Sequence, residues 1–259
     1  MDIFLFIGII TGLFAIVVGM IVKGADVLVL LNPAAAIIIL VGTSAAVMNS
    51  FPKKDFVQIP KIFKALFREE KNDPGAIISE IVEIAQTTRK NGLLSLENTI
   101  QGMENKFMKK GLEMIVDGSE PAFVSEVLNV EIESMEERHR VGASIFTTAG
   151  GAAPTLGVLG AVIGLIGALG NLNDTEKLGH MIAAAFVATL YGIFFGYVIF
   201  HPFGSRMKRK SSDEVSNMYI MLEGLLMIQE GKNPKNIEKK LVGMLKPRDR
   251  VKYEDHNRK

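Results

Sequence analysis

The residues most able to act chemically are a few prolines and hydroxyls set inside apolar runs. Pro154-Thr155 lies in one run, Thr189-Leu190-Tyr191-Gly192 in another, and Pro202 stands near the end of the second. A proline inside a helix lacks its amide donor and crowds the carbonyl four residues back, so it produces a kink or a freed acceptor. A neighbouring hydroxyl can extend a hydrogen-bonded path, although a membrane threonine often bonds its own i−4 carbonyl instead. The groups that normally load and release an ion in a membrane are carboxylates, histidines or lysines. The apolar runs contain no acid, and their two histidines, His180 and His201, sit near the edges. If this chain moves ions, the carboxylate must come from another chain. With no Cys, HExxH, GxSxG, Walker loop or paired intramembrane acids, no catalytic centre, metal site or organic cofactor is expected.

The elements that must carry these residues are readable from charge. Of 259 residues, the stretches Ile3 to Val22, Val27 to Phe51, Val141 to Asn173 and Leu178 to Ser205 hold no Asp, Glu, Lys or Arg, so every charge crowds into the rest. About 20 consecutive apolar residues suffice to cross a bilayer core of about 30 Å. The chain is therefore read as an all-α polytopic membrane protein with four transmembrane helices. Ile3 to Val22 has no basic n-region and exceeds an h-region in length, so it is read as a span. A net charge of +1 argues against nucleic acid as a partner.

Basic residues close to the spans set the orientation. The connections around Lys23 to Asp26 and Asp174 to Lys177 hold one Lys each. The opposite side holds Lys53, Lys54, Lys61, Lys64 and Arg68, then Arg138 and Arg140, then Arg206, Lys208, Arg209 and Lys210. Both termini and the long middle segment are expected in the cytoplasm. This divides the chain into a hairpin of spans 1 and 2 (1–51), a helical cytoplasmic domain (52–140), a hairpin of spans 3 and 4 (141–205) and C-terminal helices with a charged tail (206–259).

Within the polar parts, Asp55 to Glu70 puts Phe56, Ile59, Ile62, Phe63, Leu66 and Phe67 on one face and Lys61, Lys64 and Arg68 on another. That pattern suits an interfacial helix on the inner leaflet or, equally, a packed surface helix. Asp73-Pro74 is an N-cap followed by proline at the first helical position, and the helix it opens runs to Asn91-Gly92. Ser95 is expected to cap the next helix, through Leu96, Ile100, Met103, Phe107, Leu112 and Ile115 to Gly118. From Pro121 an acidic helix runs into the third span. Met207 to Glu230 and Asn233-Pro234 to Leu245 read as two further helices. In the membrane, Ala184, Ala188, Gly192 and Gly196 form a small-residue stripe on the fourth span, and the third carries Gly157, Gly160, Ala161, Gly164, Gly167 and Ala168; such residues let helices approach closely.

The layout and four runs resemble the A subunit of the bacterial flagellar stator, the MotA/PomA family, within the wider MotA/TolQ/ExbB group. The runs are Arg89-Lys90-Asn91-Gly92-Leu93-Leu94-Ser95-Leu96-Glu97, Ala153-Pro154-Thr155-Leu156-Gly157-Val158-Leu159-Gly160, Thr189-Leu190-Tyr191-Gly192 and His201-Pro202-Phe203. The resemblance implies a homo-oligomeric ring of five A subunits around a MotB-like B-subunit dimer whose single membrane Asp carries the ion, in the bacterial inner membrane. It also implies torque delivered to the rotor protein FliG through Arg89 and Glu97. Glu113, Asp117, Glu126 and Glu133 are further candidates from their charge, although most charges on exposed helix faces are simply solvated. On charge alone, Arg89 and Glu97 equally suit the helix ends where they fall. Pro154 and Pro202 match the family's two coupling prolines, and Thr155, Thr189 and Tyr191 fall along the ion path. Sodium-type members carry threonines where this chain has Ala161 and Ala188, which favours protons. A TolQ/ExbB-like energiser of envelope transport is the competing reading, and four spans with the Arg89 to Glu97 run speak against it.

Overall fold

A computed structural model describes residues 3–68 and 73–257. Those residues form helices and turns, with no strand among them, and four helical segments are long and apolar enough to cross a membrane. By internal contacts the chain divides into two units, Met1–Glu69 with His139–Arg209, and Glu70–Arg138 with Lys210–Lys259.

In the first unit, α1 (Ile3–Val22) leads through a 3-10 turn (Val27–Leu30) to α2 (Pro33–Ser50). Asp26 caps the turn by accepting from the Leu28 amide, and Asn32 caps α2 by accepting from the Ala35 amide, ahead of Pro33 at the first helical position. After the short helix α3 (Lys53–Phe56), α4 (Ile59–Phe67) presents the face anticipated from the sequence. Its apolar side is covered by protein. Leu66 is fully buried, and Phe63 stacks edge-on against Phe146 and Phe203, with ring centroids 5.0 and 6.1 Å away. Of the two readings of this segment, the packed helix is the one the aromatic cluster supports. The cluster also explains His201-Pro202-Phe203, because Phe203 is the ring that Phe63, Phe67 and Phe146 surround.

The third span is the last part of α8 (Pro121–Leu169), a 49-residue helix with Pro154 inside it. The fourth begins as α9 (Thr175–Ile193), capped by Asp174, which accepts from the Lys177 amide. It then widens into a π-helical segment (Phe194–Phe200) and continues as α10 (His201–Gln229) without a break. Met207 therefore starts no new helix. The widening has a local cause. Pro202 cannot donate to Val198, and its ring crowds that carbonyl. The preceding amide, that of His201, reaches five residues back to the Gly196 carbonyl.

In the second unit, α5 (Pro74–Asn91) begins with Asp73 accepting from the Gly75 amide and ends at Gly92, whose φ of +81° a residue with a side chain rarely adopts. Beyond it the single helix expected from Ser95 is split. A 3-10 turn (Leu93–Leu96) and the short α6 (Glu97–Gln101) precede α7 (Lys106–Val116). The Ser95 hydroxyl donates to the Gly92 carbonyl at 2.6 Å and caps nothing, while Asn105 caps α7 by accepting from the Phe107 and Met108 amides. One core gathers α5, α7, the start of α8, the end of α10 and α11 (Pro234–Met244) around Ile78, Ile81, Met108, Leu112, Leu128, Ile132, Leu225 and Ile237. The charged tail is itself helical. α12 (Pro247–Asn257) packs along α5, anchored by buried Tyr253, whose hydroxyl donates to Glu238 at 3.0 Å, and by a Lys252–Asp73 ion pair at 2.7 Å.

Candidate functional site

The glycines of the third and fourth spans place α8 and the fourth span backbone against backbone. A Cβ built on Gly157 would lie 3.0 Å from the Ala188 carbonyl oxygen and 3.1 Å from the Gly192 Cα. On Gly192 it would lie 2.6 Å from the Ala153 carbonyl oxygen, on Gly160 2.8 Å from the Ala188 Cβ, and on Gly164 2.8 Å from the Ala185 Cβ. These are main-chain atoms or the first side-chain carbon, so nothing can swing aside. In hydrocarbon, where apolar burial gives helices no reason to associate, such contact is what holds them together.

The seam brings the two prolines into one structure. The Pro154 ring fills the space beside Gly196, where a Cβ would meet Pro154 Cγ at 2.7 Å and the Gly150 carbonyl oxygen at 2.9 Å. That carbonyl is the one whose usual donor Pro154 removes. One layer further along, the His201 ring lies over Gly150, where a Cβ would meet His201 Cδ2 at 2.8 Å, and it stacks at 5.4 Å on Tyr197. Pro154 thus packs on Gly196, within the π-helical segment that precedes Pro202.

Of the hydroxyls, Thr189 Oγ1 reaches across the seam towards the Gly157 carbonyl at 3.5 Å, the outer limit for a hydrogen bond. Thr155 is exposed and donates back to its own Gly151 carbonyl at 3.4 Å. The Tyr191 hydroxyl donates to the Leu30 carbonyl, tying the fourth span to the turn between the first two. Thr43, which sequence reasoning passed over, is 3% exposed, and its hydroxyl has no partner among the described residues. The only trace it leaves in the sequence is a lone Thr-Ser pair within an apolar run.

Arg89 and Glu97 occupy the other unit. Arg89 is in the last turn of α5, Glu97 in the first turn of α6, and both are exposed. The corner between them is built by Gly92 and by Leu96, fully buried in the core, which leaves Arg89, Lys90 and Glu97 on the outside. None of these three forms an ion pair among the described residues. Leu94, 72% exposed, projects from the same corner and is the contact candidate that counting charges misses. Glu113, Asp117, Glu126 and Glu133 are exposed as well.

Closely packed apolar helices with no acid among them, together with a helical polar domain, define a membrane protein of the kind the family model for the MotA/TolQ/ExbB proton channel family describes; that model matches residues 99–220. Motility protein A of Bacillus subtilis is 49% identical over 251 residues, covering 95% of this chain and 92% of its own. The solved flagellar MotAB stator complex from Bacillus subtilis superposes with a TM-score of 0.90 at 49% identity, covering 96% of this chain and 98% of the matched one. The C. jejuni MotAB structure gives 0.91 at 31% identity, covering 95% and 97%. The chain belongs to the motility protein A family.

Proposed function

We propose that this chain is the A subunit of a flagellar motor stator. It forms a proton channel together with a MotB-like B subunit that supplies the membrane carboxylate, and it turns proton flow into torque on the rotor. The observation that carries the reading is the pairing of a seam built around two prolines with spans that hold no acid of their own. The wall can bend, but the group that binds the ion must be brought by a partner. The charge on that carboxylate changes as protons arrive and leave, and the layer it biases is the one where Pro154, Gly196 and the π-helical segment meet. Each proton crossing the membrane releases about 2.3 kcal/mol per 100 mV, enough to shift an equilibrium between two packings of that layer. Absence of hydroxyls at Ala161 and Ala188 leaves few oxygens to replace a sodium hydration shell, which favours the proton.

The same reading assigns Arg89 and Glu97, with Leu94 between them, to the contact with FliG. It assigns the assembly to a pentameric ring around a B-subunit dimer, and places both termini on the cytoplasmic side of the inner membrane. The test is expression with a MotB-like partner in a bacterium lacking its own stator. Swimming should return, stop with a protonophore and ignore external sodium. Reversing the charge of Arg89 or Glu97 should leave the complex assembled while cutting torque, with partial recovery on a matching reversal in FliG. The chain alone, reconstituted in liposomes, should conduct nothing, and robust proton flux from that preparation would refute the assignment.

A further inference from the structure

Thr43, on α2, is buried where a membrane helix tolerates a hydroxyl least. It is 3% exposed, and its Oγ1 has no hydrogen-bond partner among the described residues. The usual remedy is local, because a hydroxyl on a helix can donate to the carbonyl four residues back. Ser44 and Ser50, on the same helix, donate in this way to Leu40 and Ala46, both at 2.8 Å, and Thr147 on α8 donates to Ala143 at 3.1 Å. Thr43 makes no such bond. A buried hydroxyl without a partner costs free energy that a methyl group in its place would not.

The register of α2 determines what Thr43 faces. The buried side chains of that helix recur every four residues, at Ala35, Ile39, Thr43 and Val47. Ala35 packs with Val187 and Ala188 of the fourth span, whereas Val47 packs with Ile145 and Ala149 of α8. The buried face therefore passes from one helix to the other, and Thr43 lies where it crosses the groove between them. Its depth follows from two neighbouring contacts. A Cβ on Gly42 would meet Leu156 Cδ1 at 3.0 Å, and a Cβ on Gly160 would meet Ile38 Cγ2 at 3.5 Å. These pairs set α2 antiparallel to α8 and put Thr43 within one turn of Pro154.

The same layer holds the complement of this hydroxyl. Pro154 has no amide to offer the Gly150 carbonyl, which lies against Gly196 in the π-helical segment. A donor without an acceptor and an acceptor deprived of its usual donor thus stand on different helices of one layer, unjoined in this packing.

We propose that Thr43 is a positioning residue for ion-driven movement: its hydroxyl donates to the Gly150 carbonyl in the alternate packing of the proline layer and is left unpaired in this one. The inference rests on the assignment as a stator subunit, and it adds the second span to the moving parts. A bond made in only one of two packings shifts the balance between them. A neutral hydrogen bond of this kind changes such an equilibrium about fivefold. That bias helps the layer leave the packing seen here and is small enough to let it return.

The test uses the full chain co-expressed with its B-subunit partner in a bacterium lacking its own stator, with three variants. Thr43→Val keeps the shape and removes the donor, Thr43→Ser keeps the donor, and Ser44→Ala removes a hydroxyl that already bonds within its own helix. Each is read by denaturant unfolding of the purified complex in detergent and by rotation of a small bead on the flagellar filament, at low load. Thr43→Val should unfold no earlier than the parent and turn about fivefold more slowly. Thr43→Ser should restore most of the speed, and Ser44→Ala should match the parent in both readouts. Rotation of Thr43→Val at the parent's speed, or equal slowing of Thr43→Val and Thr43→Ser, would overturn the proposal. Earlier unfolding of Thr43→Val would do so too, because the hydroxyl would then be paired in this packing already. A parent complex that fails to turn would refute the stator assignment itself, and the two failures are told apart because unfolding reads the hydroxyl without a rotor.

Discussion

Replacing Gly192 with alanine puts the seam between the third and fourth spans under a defined load. The new Cβ would sit 2.6 Å from the Ala153 carbonyl oxygen, about 0.8 Å inside the 3.4 Å at which ordinary contact begins, and 2.9 Å from the Gly157 Cα. All the near atoms are backbone, so relief requires the helices themselves to part by several tenths of an ångström. The parting would lengthen the Thr189 to Gly157 contact, already at 3.5 Å, and draw Gly196 off the Pro154 ring. Overpacking of this kind costs about 1–3 kcal/mol. Gly8 on α1 is the internal control, because a Cβ there meets nothing within 4 Å. Gly8→Ala should be neutral or gain up to about 1 kcal/mol through helix propensity. The assay is denaturant unfolding of both variants in detergent, followed by tethered-cell rotation. Gly192→Ala should unfold earlier and turn more slowly, while Gly8→Ala matches the parent. Equal stability and equal rotation for the two would refute the reasoning that backbone contact at this layer holds and couples the spans.

Tyr191→Phe removes the hydroxyl that the Leu30 carbonyl accepts from, and should cost about 1 kcal/mol and raise amide exchange across Val27–Leu30 as measured by mass spectrometry. Burial, with Glu83 adding repulsion, raises the Glu80 carboxyl above its ordinary value. The folded state therefore holds that proton more tightly than the unfolded chain, and the associated stability is full at acid pH and lost as pH rises through the shifted value. Glu80→Gln should accordingly stabilise the protein at pH 7 and leave it unchanged near pH 4, checked by thermal unfolding at the two pH values.

Spans, caps and the helical class are legible in the sequence because each depends on neighbours in the chain. Charge-free runs mark the spans, and Asp73-Pro74 and Asn233-Pro234 announce their helices, each with its side chain on the amide expected of a cap. What stays hidden depends on contacts between distant residues. The break at Gly102 to Asn105 leaves no mark in the apolar spacing, since Ile100 and Phe107, seven residues apart, would share one face of a continuous helix too and both enter the core here. α12 is polar nearly all round, so periodicity gives no sign of it, and a single buried ring, Tyr253, holds it to α5. At the site, Pro154 and Pro202 are visible one at a time. That both act on Gly196 emerges only once Pro154 is seen packed there and the π-helical segment is located.

That segment also alters how the fourth span must be surveyed. The extra residue it accommodates advances the downstream helix by about 100° relative to an unbroken α-helical wheel. A thiol-accessibility scan along Thr175–Gln229 should therefore show its reactive phase slip by one position across Phe194–Phe200. Since the parent chain has no cysteine, every introduced thiol reports alone. Cross-link pairs designed from a uniform wheel would target the wrong flank of everything beyond His201.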